Sequence, residues 1–546
     1  MQRWPVSREL RDAVRASAGW SAFAVLIAIY SATLAPSVTW WDSGELIAAV
    51  HSLGIPHPPG TALYVVIGKV WTMLTWPLDF AVRVNLFSAV ATAAAIGVIG
   101  AMLARWTRQP LAAFAAAICA GAASSVWRNA NEAEVYALAL LASALILWTA
   151  DRAASAQPTA SWKWILLCAY GCGLAYSLHL AALVAVPAAV LLIAPARERL
   201  NPKRVAQVGA VVVLGASVVL FLIVRAQHDP SINQGNPQTW AAFADVLTRE
   251  QYANPGLWPR QAPLYLQIGN WFEYADWQFA FGLNPSPPPS WGRTSVTLVF
   301  AGLALYGSLV HRDIDRRSWR AMAMLFATAS LGVVLYLNLK TGPSFGEGVL
   351  PAGAAREARE RDYFFATSFV VWGLWAGFGA VNAARAAASR FRAGARTIVI
   401  LAGMVVAASP IALNWSVVDR RAGPGALVAR DSANALLDGV ADNGILLAAG
   451  DNDSYPLWYA QEVAGRRGDV TVVTIPLLAA AWYRQELARR HSLAGEAIAS
   501  DWHGLSATLA DVCGRARAAA RPISLAPRVA ARTLPHGCVS SPRPGN

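Results

Sequence analysis

Along this chain, apolar residues gather in runs of about 17–25, the length a helix needs to cross a ~30 Å hydrocarbon core. Trp20–Pro36, Val205–Val224, Ala321–Leu339 and Thr397–Leu413 are examples. The runs predict an α-helical polytopic membrane protein with about eleven transmembrane helices. They fall over roughly 19–36, 80–104, 110–126, 134–150, 164–178, 180–195, 205–225, 294–310, 321–339, 363–384 and 397–414. Another apolar stretch, Ala62–Trp76, is short and carries Lys69, so it reads as an interfacial helix. After about residue 415 the pattern changes. Gly444–Ala449 and Asp469–Ile475 read as short buried strands, and Tyr455–Gly465 and Ala479–Arg490 as helices. That alternation predicts a small α/β domain over 415–546.

Composition agrees. Of 546 residues, 56% are hydrophobic and only 14% charged, against about a quarter charged in a soluble protein. The net charge of +13 points to nucleic acid only if the basic residues face a partner, and their positions say otherwise. With the basic N-terminus (1–18) placed in the cytoplasm, the inner loops carry Arg105 and Arg108; Arg152 and Lys163; Arg197, Arg199, Lys203 and Arg204; Arg312, Arg316, Arg317 and Arg320; and Arg385, Arg390, Arg392 and Arg396. Every inner loop is basic, as the positive-inside rule requires. Counting Ala62–Trp76 as a full span would invert all of them. Arg3, Arg8, Arg11 and Arg15 precede the first run, which lacks a small-x-small cleavage site and reads as a retained helix. The membrane part then covers 19–414, with outer loops 37–79, 226–292 and 340–362, and the C-terminal domain lies outside. The expected location is the plasma (inner) membrane, with no nucleic-acid partner. Cys513 and Cys538 fall in the outer domain, where an oxidising compartment permits a disulfide worth ~3 kcal/mol for a loop of roughly 25 residues.

Polar residues gather at the outer boundary, where they are functional candidates by default. Asp42 and Glu45 follow helix 1 beside Trp40 and Trp41, with His57 before Pro58-Pro59-Gly60. A carboxylate partly desolvated there has a raised pKa and can take a proton from a hydroxyl. The competing reading is a helix cap, with Asp42 as N-cap and Glu45 completing a capping box. In the loop 340–362, Lys340, Arg359 and Arg361 are basic residues on the wrong side, suited to a phosphate at the bilayer surface. Glu357, Glu360 and Asp362 interleave with them, followed by Tyr363, so a self-neutralising network competes. A third group is Arg128, Asn131, Glu132, Glu134 and Tyr136, joined by His179. The fourth is Asp451 and Asp453. An Asp-x-Asp pair can hold a divalent metal, but Asp453 as a helix N-cap explains it better. No Walker loop, dinucleotide fingerprint or Cys/His metal spacing is present, which argues against a nucleotide-driven pump.

Taken together, Asp42-Ser43-Gly44-Glu45, Gly54-Ile55-Pro56-His57-Pro58-Pro59-Gly60, Arg83-Val84-Asn85-Leu86-Phe87-Ser88, Arg359-Glu360-Arg361-Asp362-Tyr363-Phe364-Phe365 and Gly450-Asp451-Asn452-Asp453 with Trp458-Tyr459-Ala460-Gln461-Glu462 resemble one family. It is the family catalogued as domain of unknown function 2723, which includes a protein O-mannosyltransferase. The resemblance covers roughly residues 20–490. The family's acidic-basic run opens His-Glu, whereas Arg356-Glu357 stands here, so no proton-transfer role carries over to Arg356. The resemblance implies a GT-C glycosyltransferase, with a catalytic carboxylate in the first outer loop and a polyprenyl-phosphate sugar as donor.

The expected activity is inverting transfer of a hexose, mannose among the candidates, from that lipid-linked donor to a hydroxyl of a protein or glycan acceptor. Asp42 is the expected base, Glu45 and His57 its orienting partners. Lys340, Arg359 and Arg361 hold the phosphate. No metal or other cofactor is called for, because the leaving group carries a single phosphate. A transporter or flippase of a lipid-linked or anionic solute is the alternative. It calls for ionisable residues at mid-membrane and broken helices, whereas most charges here sit at the boundaries. A non-catalytic scaffold is disfavoured by the intact acidic cluster.

Overall fold

The computed structural model describes residues 8–194, 201–252, 256–346, 350–351, 353–423, 425–530, 534–535 and 538. Arg3, Arg197 and Arg199 lie outside the described residues. Each of the eleven apolar runs is helical. In chain order the helices are α1 Arg8–Thr33, α2 Ser43–Ser52, α3 Ala62–Leu74, α4 Phe80–Thr107, α5 Pro110–Gly121, α6 Ser124–Ala130, α7 Val135–Ser155, α8 Pro158–Leu178, α9 Val186–Ile193, α10 Pro202–Ala216 and α11 Phe221–Ala226. They continue with α12 Trp240–Thr248, α13 Leu264–Asp276, α14 Trp291–Ile314, α15 Arg316–Ala327, α16 Val333–Leu337, α17 Ala366–Ala388 and α18 Ala393–Val418. Among the described residues, seven continuous segments are long and apolar enough to cross a membrane, and α5 with α6 makes an eighth, bent by 74°. Ser17–Thr33 and Leu180–Ile193 are apolar but shorter. The protein is a multi-pass membrane protein.

The apolar window of Asp362–Ala388 is 89% buried inside the protein, against 11% for Pro202–Ala226. The first is therefore the axis of the bundle, and the second turns its sides to lipid. Small residues let helices approach that axis. A Cβ on Gly379 of α17 would run into the Leu303 carbonyl of α14. Such close packing holds helices together where lipid leaves no hydrophobic drive. The break between α5 and α6 frees backbone groups that must be satisfied inside the membrane. Asn414 of α18 donates to Ala122 O (2.9 Å), and Ser124 N donates to Gln278 O (2.9 Å).

The two ends of the bundle are chemically distinct. At one, Arg105 and Arg317 converge on Asp151, the latter at 2.6 Å, and Arg385 meets Gln109. These are the ends predicted to face inward. At the other end lie the loops 37–79, 226–292 and 340–362 and the C-terminal unit.

That unit contains α19 Val428–Asp438, β1 Ile445–Ala448, α20 Asp451–Glu462, β2 Thr471–Thr474, α21 Ala481–His491, α22 Glu496–Ser500, α23 Leu505–Ala518 and β3 Ile523–Leu525. The strands form a parallel sheet in the order β2-β1-β3. Both predicted strands and both predicted helices are present. Cys513 and Cys538 are disulfide-bonded, with Cα atoms 5.3 Å apart. The unit docks on the first loop: Trp41 N donates to Asn452 Oδ1 (2.8 Å), and a Cβ on Gly44 would collide with the Tyr455 carbonyl.

Candidate active site

Helix α2 begins at Ser43, so Asp42 is its N-cap residue and Glu45 follows within the first turn. Neither carboxylate serves as a cap. Asp42 makes no capping bond, and its Oδ2 accepts from Arg359 Nη2 at 2.7 Å. Both side chains are largely buried. The Arg359 guanidinium lies over the Trp41 ring (4.9 Å) and the Tyr363 ring (4.7 Å), which leaves it few ways to turn. Trp41 holds φ +63°, a left-handed conformation costly for a bulky side chain and characteristic of built sites.

Glu45 is fully buried and gathers three donors: His57 Nδ1 (2.5 Å), His57 N (2.6 Å) and Gln234 Nε2. Burial alone depresses His57 and raises Glu45. The close carboxylate reverses the effect on the imidazole, which is raised to about 9. Three donors converging on two oxygens suit an ionised Glu45, so the pair stands as imidazolium and carboxylate.

The raised pKa expected for Asp42 is not found. Burial works in that direction, but the Arg359 charge, with His57 and Arg361 behind it, outweighs it and holds the carboxyl below its usual range. At rest Asp42 is an ionised acceptor locked to an arginine.

A cavity of about 680 Å³ opens on one side of the Asp42–Arg359 pair. Its polar floor includes Asp42, His57, Lys340, Arg359, Arg361, Asp451 and His179, and its wall includes Leu180, Val184, Val333, Leu337 and Leu339 from the apolar helices. The Lys340 backbone N–H is held by Glu357 Oε1 (3.0 Å), and Lys340 lines the cavity. Arg361 pairs with Glu357 (3.1 Å) and donates to Tyr363 Oη (2.6 Å). The expected self-neutralising network is thus only partial. Glu360 accepts from Tyr274 Oη (3.0 Å) and Ser344 N (3.0 Å), and Asp362 from Ser125 Oγ (2.5 Å). Arg356 donates to three backbone carbonyls, Gly342 O, Pro343 O and Phe345 O, so it braces the loop.

A second cavity of about 400 Å³ adjoins the first and shares Trp41, Arg359 and Tyr363 with it. Arg128, Glu132 and Glu134 line it. The third predicted group therefore divides: Tyr136 and His179, in edge contact at 4.9 Å, face the large cavity and the other three face the small one. Asn131 faces neither, bonding Thr33 and Val418 O. Glu132 pairs with Arg420 (3.2 Å). Burial, then the Asp42 charge, push Glu134 up to about 8, and its Oε2 has no partner among the described residues.

Asp451 and Asp453 also part. Asp451 lines the large cavity, whereas Asp453 turns back to Ala449 N (3.1 Å) and toward Arg528 (3.7 Å). Asp453 is inside the first turn of α20, whose N-cap is Gly450, which corrects the expected N-cap assignment. Gln234 is the contributor that residue type and spacing did not single out; the sequence marks Trp41 only as a ring beside Asp42, and it also stacks on Arg359. Nothing local marks Gln234.

Membrane helices carrying a polar site at one end of the bundle, with a small parallel α/β unit docked beside it, define a GT-C-type fold. The solved structure of ArnT from Cupriavidus metallidurans, bound to undecaprenyl phosphate, aligns over 84% of this chain and 90% of its own, with a TM-score of 0.52 at 12% identity. That likeness is one of fold. In sequence, residues 42–201 match the Protein O-mannosyl-transferase TMEM260 N-terminal domain and residues 429–506 the TMEM260-associated domain 2. The chain is 24% identical over 480 residues to Protein O-mannosyl-transferase TMEM260 of Mus musculus, covering 86% of this chain and 64% of the mouse protein. It is 25% identical over 244 residues to Protein O-mannosyl-transferase tmem260 of Dictyostelium discoideum, covering 41% of this chain and 29% of that protein. The chain thus spans less than two thirds of these relatives, and the matching models carry the TMEM260 name in place of the domain-of-unknown-function designation. Asp42, Glu45 and His57 fall inside the first matched segment, Asp451 and Asp453 inside the second.

Proposed function

We propose that this protein is a membrane glycosyltransferase that moves a hexose, mannose first among candidates, from a polyprenyl-phosphate-linked donor to an acceptor hydroxyl on the extracytoplasmic side of the plasma (inner) membrane. The observation that carries this reading is the Asp42–Arg359 pair, in which both residues line the large cavity and Arg359 also lines the smaller one beside it. Its relatives' names and the lipid phosphate held by ArnT support the same reading.

The large cavity takes the donor, its apolar wall receiving the lipid and Lys340, Arg359 and Arg361 receiving the phosphate. The acceptor enters through the smaller cavity and reaches Asp42 where the two cavities meet, at Trp41, Arg359 and Tyr363. As the phosphate arrives, Arg359 shares its donors with it, and the pull that depresses Asp42 weakens. Asp42 then becomes basic enough to take the proton when it is needed. The acceptor oxygen attacks the anomeric carbon from the face opposite the phosphate, with inversion. The bond from that carbon to the phosphate oxygen breaks, and its electron pair leaves on the phosphate. The acceptor proton passes to Asp42 and then to water. Arg359, Arg361 and Lys340 stabilise the charge that grows on the leaving group. Glu45 and His57 fix the loop that presents Asp42, and the His57 charge also favours its ionised form. No step calls on a metal.

The test is Asp42→Asn in membranes supplied with polyprenyl-phosphate hexose and an acceptor extract. Transfer should fall at least 100-fold, in line with loss of a positioned base. Normal transfer by that variant would remove Asp42 from the mechanism. Movement of the lipid-linked sugar across vesicles with no glycosidic bond formed would favour the transporter reading.

A further inference from the structure

A third cavity, of about 250 Å³, lies outside the candidate site, between the 226–292 loop and the C-terminal unit. One side is the strip 231–234 and the other is built from α20, β2 and α21. Its chemistry is specific. Trp458 and Trp482 both line it, and the Trp482 indole N–H is already donated to Gln251 Oε1 (3.2 Å), which leaves ring faces as its offer. Asn233 is 97% buried (3% exposed). Its Nδ2 donates to Asn236 Oδ1 (3.0 Å), but its Oδ1 has no partner among the described residues. Gln461 spends its Nε2 on Arg467 O (3.0 Å) and Val470 O (2.7 Å), so its carbonyl oxygen is left as an acceptor. Glu462 adds a carboxylate.

The lining therefore offers acceptors at Gln461 and Glu462 beside the aromatic surface of two tryptophans. Its cation Arg490 is committed to Asp229 and to Glu486 (3.2 Å), so it does not call for an anion. A neutral molecule with many hydroxyl donors and one apolar face satisfies every feature at once. We infer that this cavity is a saccharide-binding subsite, in which a pyranose ring stacks on an indole and donates its hydroxyls to Gln461 and Glu462.

Position links it to catalysis. Asn233 pairs with Ile55 in a parallel bridge, Gln234 N donates to Ile55 O (2.9 Å), and the Gln234 side chain donates to Glu45. The wall of the saccharide cavity is thus one residue from the Glu45–His57 pair. On the transferase reading, the subsite grips a sugar already carried by the acceptor and steadies the loop that presents Asp42. Only this role rests on that reading; the binding itself does not.

The experiment uses the full chain purified in detergent, with no donor present. Methyl α-D-mannopyranoside and methyl α-D-glucopyranoside are titrated by saturation-transfer NMR against the parent, Trp458→Ala, Glu462→Ala and Asp42→Asn. We expect saturable binding of at least one glycoside, weakened roughly ten-fold or more by Trp458→Ala, weakened by Glu462→Ala, and unchanged by Asp42→Asn. If Trp458→Ala melts early, Glu462→Ala, a smaller change in side-chain volume, carries the result. Absence of saturable binding by either glycoside overturns the inference. So does binding that both substitutions leave intact. Loss of transfer in Asp42→Asn, or its persistence, bears on the transferase and leaves this measurement unaffected.

Discussion

Two side chains at the site make claims that solution experiments can read directly. His57 is raised to about 9 from an ordinary value of 6.5 by Glu45. A group whose folded pKa is raised stabilises the protein fully below its unfolded value and loses that contribution as pH rises through the folded one. While Glu45, itself raised by burial, stays ionised, the Glu45–His57 pair should therefore stabilise the site fully just below pH 6.5, weaken above it, and be absent above about pH 9. Thermal melts of the detergent-purified chain should show a falling Tm across that window. His57→Ala should lower the acid-side Tm and flatten the slope; an unchanged slope would mean that the pair does not form. Arg359 makes the second claim. Its charge holds Asp42 below the carboxylate range despite burial, so removing it must raise the Asp42 pKa. Arg359→Gln should cut transfer by roughly 100-fold or more, the usual scale for a lost charge stabiliser. The acid limb of the remaining activity should also move to higher pH. A loss of rate with an unmoved limb would mean that Asp42 is not the group titrating. Arg359→Lys should restore part of the limb and little of the rate, because an ammonium keeps the charge but not the planar two-bond fork.

At the scale of elements, what holds the site in place is the contact of α17 with α14 and α5, and that contact depends on missing side chains. Gly379 faces the Leu303 carbonyl, and Gly373 and Gly377 face Ala120 and Ala116 of α5. Gly379→Ala should cost about 1–3 kcal/mol, the usual range for overpacking, and lower the Tm. Gly302, on the same α14, has no heavy atom within 4 Å of its would-be Cβ. Gly302→Ala should leave the Tm unchanged or slightly higher, since it removes only the entropic cost of glycine in a helix. Equal melts for the two would mean that α14 and α17 are not in close contact. The same scale shows what the chain made legible. The apolar runs could be read because lipid imposes both a length and a composition on each helix. Helix α13 could not, because it buries Gln267, Asn270, Glu273 and Asp276 against tertiary partners, so its inward face is polar. Strand β3 is three residues long and pairs with β1 across the chain, which no local pattern reports. The site divides in the same way. Asp42, Glu45 and His57 stand out because polar groups beside tryptophans at a membrane boundary are unusual. The electrostatic sign at Asp42 could not be read, because it depends on an arginine 317 positions away. The role of Gln234 depends on a carboxylate 189 positions away.

At the scale of the whole molecule, the ion pairs settle which helix ends lie together, and the charge pattern then argues which end faces the cytoplasm. Arg105, Asp151 and Arg317 meet at one end, joined by Arg385 and Gln109. Asp42 and Arg359, Ser125 and Asp362, and Glu132 and Arg420 meet at the other. No described residue pair in this set joins the two ends. Segments α4, α5–α6 and α7 run between them in alternation, as the threading from basic loops required. Lys and Arg are retained on the cytoplasmic side during insertion, so the orientation we propose puts the arginine-rich end inside and the two cavities of the candidate site outside. The disulfide between Cys513 and Cys538 agrees with an oxidising compartment for the C-terminal unit. The orientation can be measured in intact cells with a membrane-impermeant maleimide. Gln485 on α21 and Ser389 after α17 are both exposed and lie at opposite ends. Gln485→Cys should label from outside, above the background of the parent chain. Ser389→Cys should label only after the membrane is permeabilised. The reverse pattern would place the donor phosphate, the acceptor and the saccharide cavity in the cytoplasm. A lipid-linked donor would then have to present its sugar on the inner leaflet, and the transfer step would have to be reassigned to that face.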